Sequence, residues 1–238
     1  MTYANYYKVW ATVLTAILAS ILLSVAAFTT GAGAQEPGCS GKVVLDPGHG
    51  GNDPGAVNTK YGLKEKDQTL EVATRLNALL AGDGCTVYMT RTGDKTLSNN
   101  DRYTYANSTG ADILVSIHMN GATENTVDYT TTLFGKWRKD KELAYAVFGD
   151  NVNPPAYGLR TLSAVNGRGT TWGTIATKDP YSYASGVLLK SNMPATIAET
   201  VFISNDTEGQ LLSDPSEVRQ QQIADALRTG IEEYLAKH

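Results

Sequence analysis

Histidine is scarce in this 238-residue chain, with three in all, and cysteine is scarcer, with two. Basic side chains are outnumbered, 20 against 24 acidic ones. Setting aside Lys8, the one charged residue of positions 1–34, leaves 19 basic against 24 acidic residues. That balance argues against a nucleic-acid partner, which asks for a basic face. The chain also lacks a Gly-Lys-Ser/Thr phosphate loop. After the first strand-like run, Gly48 and Gly50 are followed by Asp53 where a dinucleotide fingerprint needs its third glycine. Asp46 and Asp53 flank this turn with negative charge, so the glycines do not mark a phosphate cradle. No internal repeat, low-complexity linker or second domain is visible.

Long apolar runs are limited to one. Residues 9–28, "VWATVLTAILASILLSVAAF", carry no charge, with Lys8 before them and Ala32 and Ala34 after. A basic flank, an apolar core and an A-x-A site describe a secretory signal over residues 1–34, cut after Ala34. The run, roughly 20 residues, is also long enough to span a bilayer as an uncleaved anchor. Either reading puts the rest of the chain outside the cytoplasm: secreted, periplasmic, wall-associated or membrane-tethered. Residues 35–41 form a lead-in, and 42–238 a single domain. Cys39 and Cys85 each precede a strand-like run. If those strands are parallel neighbours, both thiols lie at one end of the sheet, and a disulfide is reasonable in an oxidising compartment. Two unpaired thiols are the alternative.

Strand-like runs "KVVLD", "CTVYMTR", "DILVSIH" and "PATIAETVF" alternate with helical ones. Leu70, Ala73, Leu76 and Leu80 have helical spacing, a short helix stops at Gly110, and residues 139–152 read as another helix. Val218, Ile223, Ala226, Leu227, Ile231 and Leu235 give the closing helix an apolar stripe. The alternation predicts an α/β fold: one domain, a mostly parallel twisted sheet, and helices on both faces. The mixed-sign run "KWRKDKE" reads as a solvated helix face. Tyr157, Trp172, Tyr181 and Tyr183 read as core or loop packing, with stacking on sugar rings as the alternative.

His49 and His118 each follow a strand, where open α/β sheets gather their ligands. His238 is terminal and is set aside. A catalytic metal usually takes three protein ligands and an open position, so the third must come from elsewhere. Cys39 and Cys85 lie at the wrong strand ends, whereas Glu65 opens the helix after the His49 loop. Two histidines and one glutamate suit one zinc ion, with bonds of about 2.0 to 2.2 Å. Glu199 ends the apolar run "PATIAE", and this reading puts it at a strand end as a proton acceptor. Asp46 is a candidate to orient His49, or a simple turn residue. Asn120 is a candidate substrate or ligand-supporting contact, or a shaper of its turn.

The pieces "VVLDPGHGGNDPGA", "GLKEKD", "VYMTRTGD", "DRYTYANSTGADILVSIHMN", "MPATIAETVFISN" and "IADALRTGIEEYL" occur in order over residues 42–235. In these the chain resembles the zinc-dependent N-acetylmuramoyl-L-alanine amidases, bacterial cell-wall hydrolases with a phosphorylase/hydrolase-like sheet. The resemblance implies that His49, Glu65 and His118 hold zinc and that Glu199 is the catalytic glutamate. It implies cleavage of the amide between N-acetylmuramic acid and L-alanine of the stem peptide, with residues 42–238 as a zinc amidase domain. The partner is then peptidoglycan, met by a monomer that touches membrane only through an uncleaved N-terminal segment. "TVF" at 200–202 departs from the family's "TGF", placing valine where glycine freedom is expected. Residues 122–186 match poorly. A catalytically silent peptidoglycan binder and a zinc peptidase acting within the stem peptide are the competing readings.

Overall fold

The structure is a computed structural model that describes residues 39–149, 157–162, 181–183 and 185–238. The expected signal or anchor segment lies outside the described residues, as does Trp172. Among the described residues there are eight strands: β1 (Lys42–Pro47), β2 (Val57–Asn58), β3 (Leu63–Lys64), β4 (Thr86–Met89), β5 (Ile113–Asn120), β6 (Thr131–Phe134), β7 (Tyr181–Ser182) and β8 (Ala195–Phe202). The helices are α1 (Glu65–Gly82), α2 (Asn99–Thr109), α3 (Trp137–Phe148), α4 (Gly186–Lys190), α5 (Asp206–Leu212) and α6 (Val218–Leu235). Six strands form one sheet in the order β4-β1-β5-β8-β6-β7, and β2 and β3 make a small antiparallel pair. The four strands from β4 to β8 run parallel, while β6 pairs antiparallel with β8.

Alternation along the strands sorts their side chains onto two faces. Val43 and Leu45 of β1 and Ile113, Val115, Ile117 and Met119 of β5 enter one apolar core with α1, α3 and α6. Val44, Leu114, Ala195 and Ile197 turn the other way and meet Ala106 of α2 and Val187 and Leu188 of α4. These two helices cover only the first half of that face. Further along the same strands the alternation brings up Asp46, Ser116, His118, Asn120 and Glu199, which line a cleft of about 590 Å³. The sheet is thus dry on one side and, toward the carboxyl ends of its parallel strands, open on the other.

Local signals explain most boundaries. Ser98 and Asp101 form a capping box at the start of α2, and Gly110 ends it in the left-handed region at φ 64°. Helix α3 runs over Trp137–Phe148 instead of 139–152, because Gly149 turns the chain at φ 98°, where the Tyr157 carbonyl lies 2.3 Å from the position a Cβ would take. Its first turn is not a purely solvated face either. Asp140 is fully buried, and its carboxylate accepts the backbone N–H groups of Gly135, Lys136 and Ala195. Val201 needs no glycine freedom: it sits in extended backbone within β8, buried against the core. Cys39 and Cys85 are joined in a disulfide at the amino ends of β1 and β4, with Cα atoms 4.9 Å apart. Among the described residues, no helix is long and apolar enough to cross a membrane.

Candidate metal centre and cleft

The turn after β1 is built around one histidine. His49 adopts φ 58°, one of two non-glycine residues with positive φ among the described residues. Histidine tolerates that region better than most side chains, and the conformation here is held from outside. The Arg102 guanidinium, buried beneath the turn, donates to the carbonyls of Pro47 and His49, both at 2.8 Å. Arg91 donates to the carbonyls of Pro47 and Gly48, at 3.0 and 2.7 Å. Gly48 is required by what packs on it, since a Cβ there would meet the His118 ring at 2.4 Å. At Gly55 a Cβ would meet Glu65 Oε2 at 2.6 Å and the His49 ring at 2.7 Å. The glycines make room for the cluster.

Glu65, the first residue of α1 and 3% exposed, is the pivot. Its Oε1 lies 3.0 Å from His49 Nε2 and 3.0 Å from His118 Nδ1, and those two ring nitrogens are 3.2 Å apart. The Met119 N–H donates to Oε1 at 3.0 Å and the Ala56 N–H to Oε2 at 2.9 Å, fixing the carboxylate's plane. His49 Nδ1 meets Asp53 Oδ2 at 2.8 Å. A carboxylate only accepts, so Nδ1 carries a proton, which leaves Nε2 as the nitrogen that would face a metal once its own proton is lost.

Burial opposes charge on all three acidic and basic groups here, and the outcomes differ. Glu65 is desolvated, yet hydrogen bonds and charge from His118 and His49 hold its carboxyl well below the usual range. His49 is also desolvated, yet Glu65 and then Asp53 push it up to about 9. Glu199 is raised, by burial first and by the charge of Glu65, against the pull of His118 and His49. A buried carboxylate thus neighbours a second one that resists ionising.

Three ligand atoms converging at 3.0 to 3.2 Å suit one cation. A tetrahedral zinc ion with bonds of about 2.0 to 2.1 Å separates its ligands by about 3.3 to 3.4 Å, so a shift of a few tenths of an ångström suffices. Glu199 lies beside the cluster as the register partner of His118 on the next strand. Neither residue is at a strand end. His118 is followed by two more residues of β5, and Glu199 by three of β8, so both reach the cleft by facing its open side. The irregular pairing between His118 and Asn120 re-aims this part of the ladder.

Asp46 does not reach His49. Its carboxylate accepts from Thr90 at 2.6 Å, Arg102 at 2.7 Å and Ser116 at 2.7 Å, and so supports the turn through Arg102. Asp53 takes the orienting place. Its signal in the sequence is its position four residues after His49. Asn120 lines the cleft, with its Nδ2 buried and unpartnered. Tyr183 is half exposed and lines the cleft instead of packing in the core. Strands β6 and β7 fall within residues 122–186, the stretch that matches the family poorly.

An open sheet face bearing a cluster able to hold one cation, beside a partly shielded carboxylate, is the layout of a hydrolytic α/β enzyme. Residues 43–233 match the N-acetylmuramoyl-L-alanine amidase family, and the chain belongs to it. It is 34% identical over 189 residues to the probable cell wall amidase LytH of Staphylococcus aureus, a match spanning 78% of this chain and 57% of LytH. Its fold is similar to that of an N-acetylmuramoyl-L-alanine amidase from Clostridium difficile 630, with TM-score 0.69 and 30% identity, over 83% of this chain and 97% of that one. The amidase AmiC2 of Nostoc punctiforme aligns with TM-score 0.68 and 28% identity, over 83% and 98%.

Proposed function

We propose that the chain hydrolyses the amide joining the lactyl group of N-acetylmuramic acid to L-alanine of the peptidoglycan stem peptide, outside the cytoplasm. The observation that carries this is the convergence of His49, Glu65 and His118 on one point, with Glu199 paired beside it in a cleft open to a large substrate. We assign the three clustered residues as ligands of one zinc ion. Zinc in that place supplies Lewis acidity, which polarises a carbonyl oxygen and acidifies water. The chain's own residues do the rest. Glu199 takes a proton from the attacking water and returns one to the departing L-alanine nitrogen. Its burial suits this, since a carboxylate raised from its ordinary range holds a proton more readily at the transfer step. Asp53 keeps His49 in one tautomer, and Arg91 and Arg102 hold the turn that carries it.

The test is mass spectrometry of products from purified peptidoglycan, using residues 35–238 with zinc beside Glu199→Ala. Stem peptides with a free L-alanine amino terminus, lost in the variant, are expected. Peptides cut internally would mean a stem-peptide peptidase, and wall binding without any product would mean a silent binder.

A further inference from the structure

The catalytic cleft does not end at Leu97. That residue lines the cleft on one side and, on the other, a second opening of about 500 Å³ between the 90–97 segment and the outer face of α2. Its wall differs chemically from the sheet face. Thr96, Asn100, Thr104 and Ser108 supply short hydroxyl and amide groups, and Tyr105 presents a ring that is 39% exposed. Within the described residues no hydrogen bond engages the side-chain hydroxyls of Thr104 or Tyr105. The opening is also fixed relative to the metal centre. The Gly51 N–H donates to Asp94 at 2.6 Å, and the Asn52 N–H donates to Thr96 Oγ1 at 3.0 Å. Lys66 Nζ ties the Gly51 carbonyl at 2.9 Å to Asp94 at 2.7 Å.

We propose that this second opening is a glycan subsite, holding the sugar chain on which the muramoyl residue at the cluster is borne. The proposal rests on the amidase reading and adds where the polymer runs. An N-acetylated amino-sugar strand offers apolar ring faces and rims of hydroxyl and acetamido groups. An exposed tyrosine ring edged by short hydroxyl and amide side chains meets both. The L-alanine that begins the stem peptide, with its small apolar side chain, is matched by the part of the first cleft lined by Leu133, Val187 and Ile197. Leu97 then marks the point where sugar passes to lactyl group.

The test uses the full chain carrying Glu199→Gln, so that nothing is turned over, and glycan strands stripped of their peptides. Binding is measured by co-sedimentation and calorimetry. The expected result is that the parent binds the strands, that adding Tyr105→Ala weakens binding about tenfold, on the scale of one lost aromatic contact, and that free stem peptides do not compete. Thr104→Val is a second, milder probe, expected to weaken binding in the same direction. Both residues are exposed, so melting temperatures should match the parent's. Equal affinity in the parent and both variants would overturn the proposal, as would failure of the parent to bind or competition by free stem peptide. Product release from a single-sugar muramoyl-peptide by the chain with Glu199 intact tests the amidase reading separately. Its absence beside Tyr105-dependent glycan binding would remove that reading and leave the subsite standing.

Discussion

His118 and Glu199 face each other as register partners on β5 and β8, at the point where that ladder's pairing slips. Neighbouring strands lie about 4.7 to 4.9 Å apart, so the spacing between a candidate metal ligand and the candidate base is set by the sheet itself. Loop motion cannot change it.

Glu199→Gln keeps the shape of the side chain and the ladder while removing the proton acceptor. The expected outcome is a kcat lower by about 10²- to 10⁴-fold, the usual range for a lost acid–base group, with zinc affinity little changed. Steady-state kinetics and calorimetric zinc titration check it together. Loss of zinc binding in parallel would assign Glu199 to the ligand set instead.

Asp53→Asn tests the orienting contact. The amide is nearly isosteric but no longer an obligate acceptor, so His49 is freed to change tautomer. Zinc affinity should fall by about 10- to 100-fold, as for other outer partners of metal-bound histidine, read by competition with a chromophoric chelator. Unchanged affinity would reduce the 2.8 Å contact to a loop tie.

Legibility from sequence followed the physics of each element. Strands β1, β5 and β8 announced themselves because a strand buried on one whole face, and half of the other, is apolar nearly throughout, whereas β4, a partly exposed edge strand, is legible from its β-branched and aromatic residues. Their alternation with helices gave the sheet. Strand β6 did not announce itself, because the identity of "TTLF" as a strand comes from pairing with β8, a non-local contact. The strand-end position expected for Glu199 rests on the apolar run "PATIAE" stopping at it, although "TVF" follows within the same strand-like run. Those residues continue the strand, and the carboxylate is exposed by pleat, not by termination. In the sequence Asp53 shows only a charge that repels phosphate. Its use depends on the turn closing Gly50 onto Asp53, which composition does not reveal.

Proton release gives a pH test. In a metal-free preparation His49 is raised from 6.5 to about 9, so at pH 7.5 it is mainly protonated, whereas Glu65, held low, is already ionised. Zinc needs the neutral imidazole. Binding at pH 7.5 should therefore expel about one proton, and affinity should rise up to tenfold per pH unit toward pH 9. The same shift makes the metal-free fold's share of stability from His49 full below 6.5 and lost as pH climbs through about 9. Calorimetry in buffers of different ionisation enthalpy reads the proton count. A count near zero would refute the raised imidazole.

The disulfide closes a separation of 46 residues, a loop whose restraint on the unfolded chain is worth at most about 4 kcal/mol. Cys39→Ala with Cys85→Ala should lower stability to denaturant by about 2 to 4 kcal/mol and leave kcat at 25 °C alone, because the bond sits at the opposite end of β1 from His49. Urea melts with and without reductant check it. A matching loss of activity in the folded double variant would show that strain travels the length of the strand.

The floor of the cleft is one strand layer thick, and its underside is packed. Ile117, Met119 and Val201 point down into the core, yet the backbone they steer carries His118 and Glu199, and the Met119 amide holds Glu65. That underside is a tuning surface that no ligand touches. Repacking there would move His118, Glu199 and Glu65 together by fractions of an ångström, so that under the proposed function a preference for one wall chemistry over another can be inherited from residues of the core.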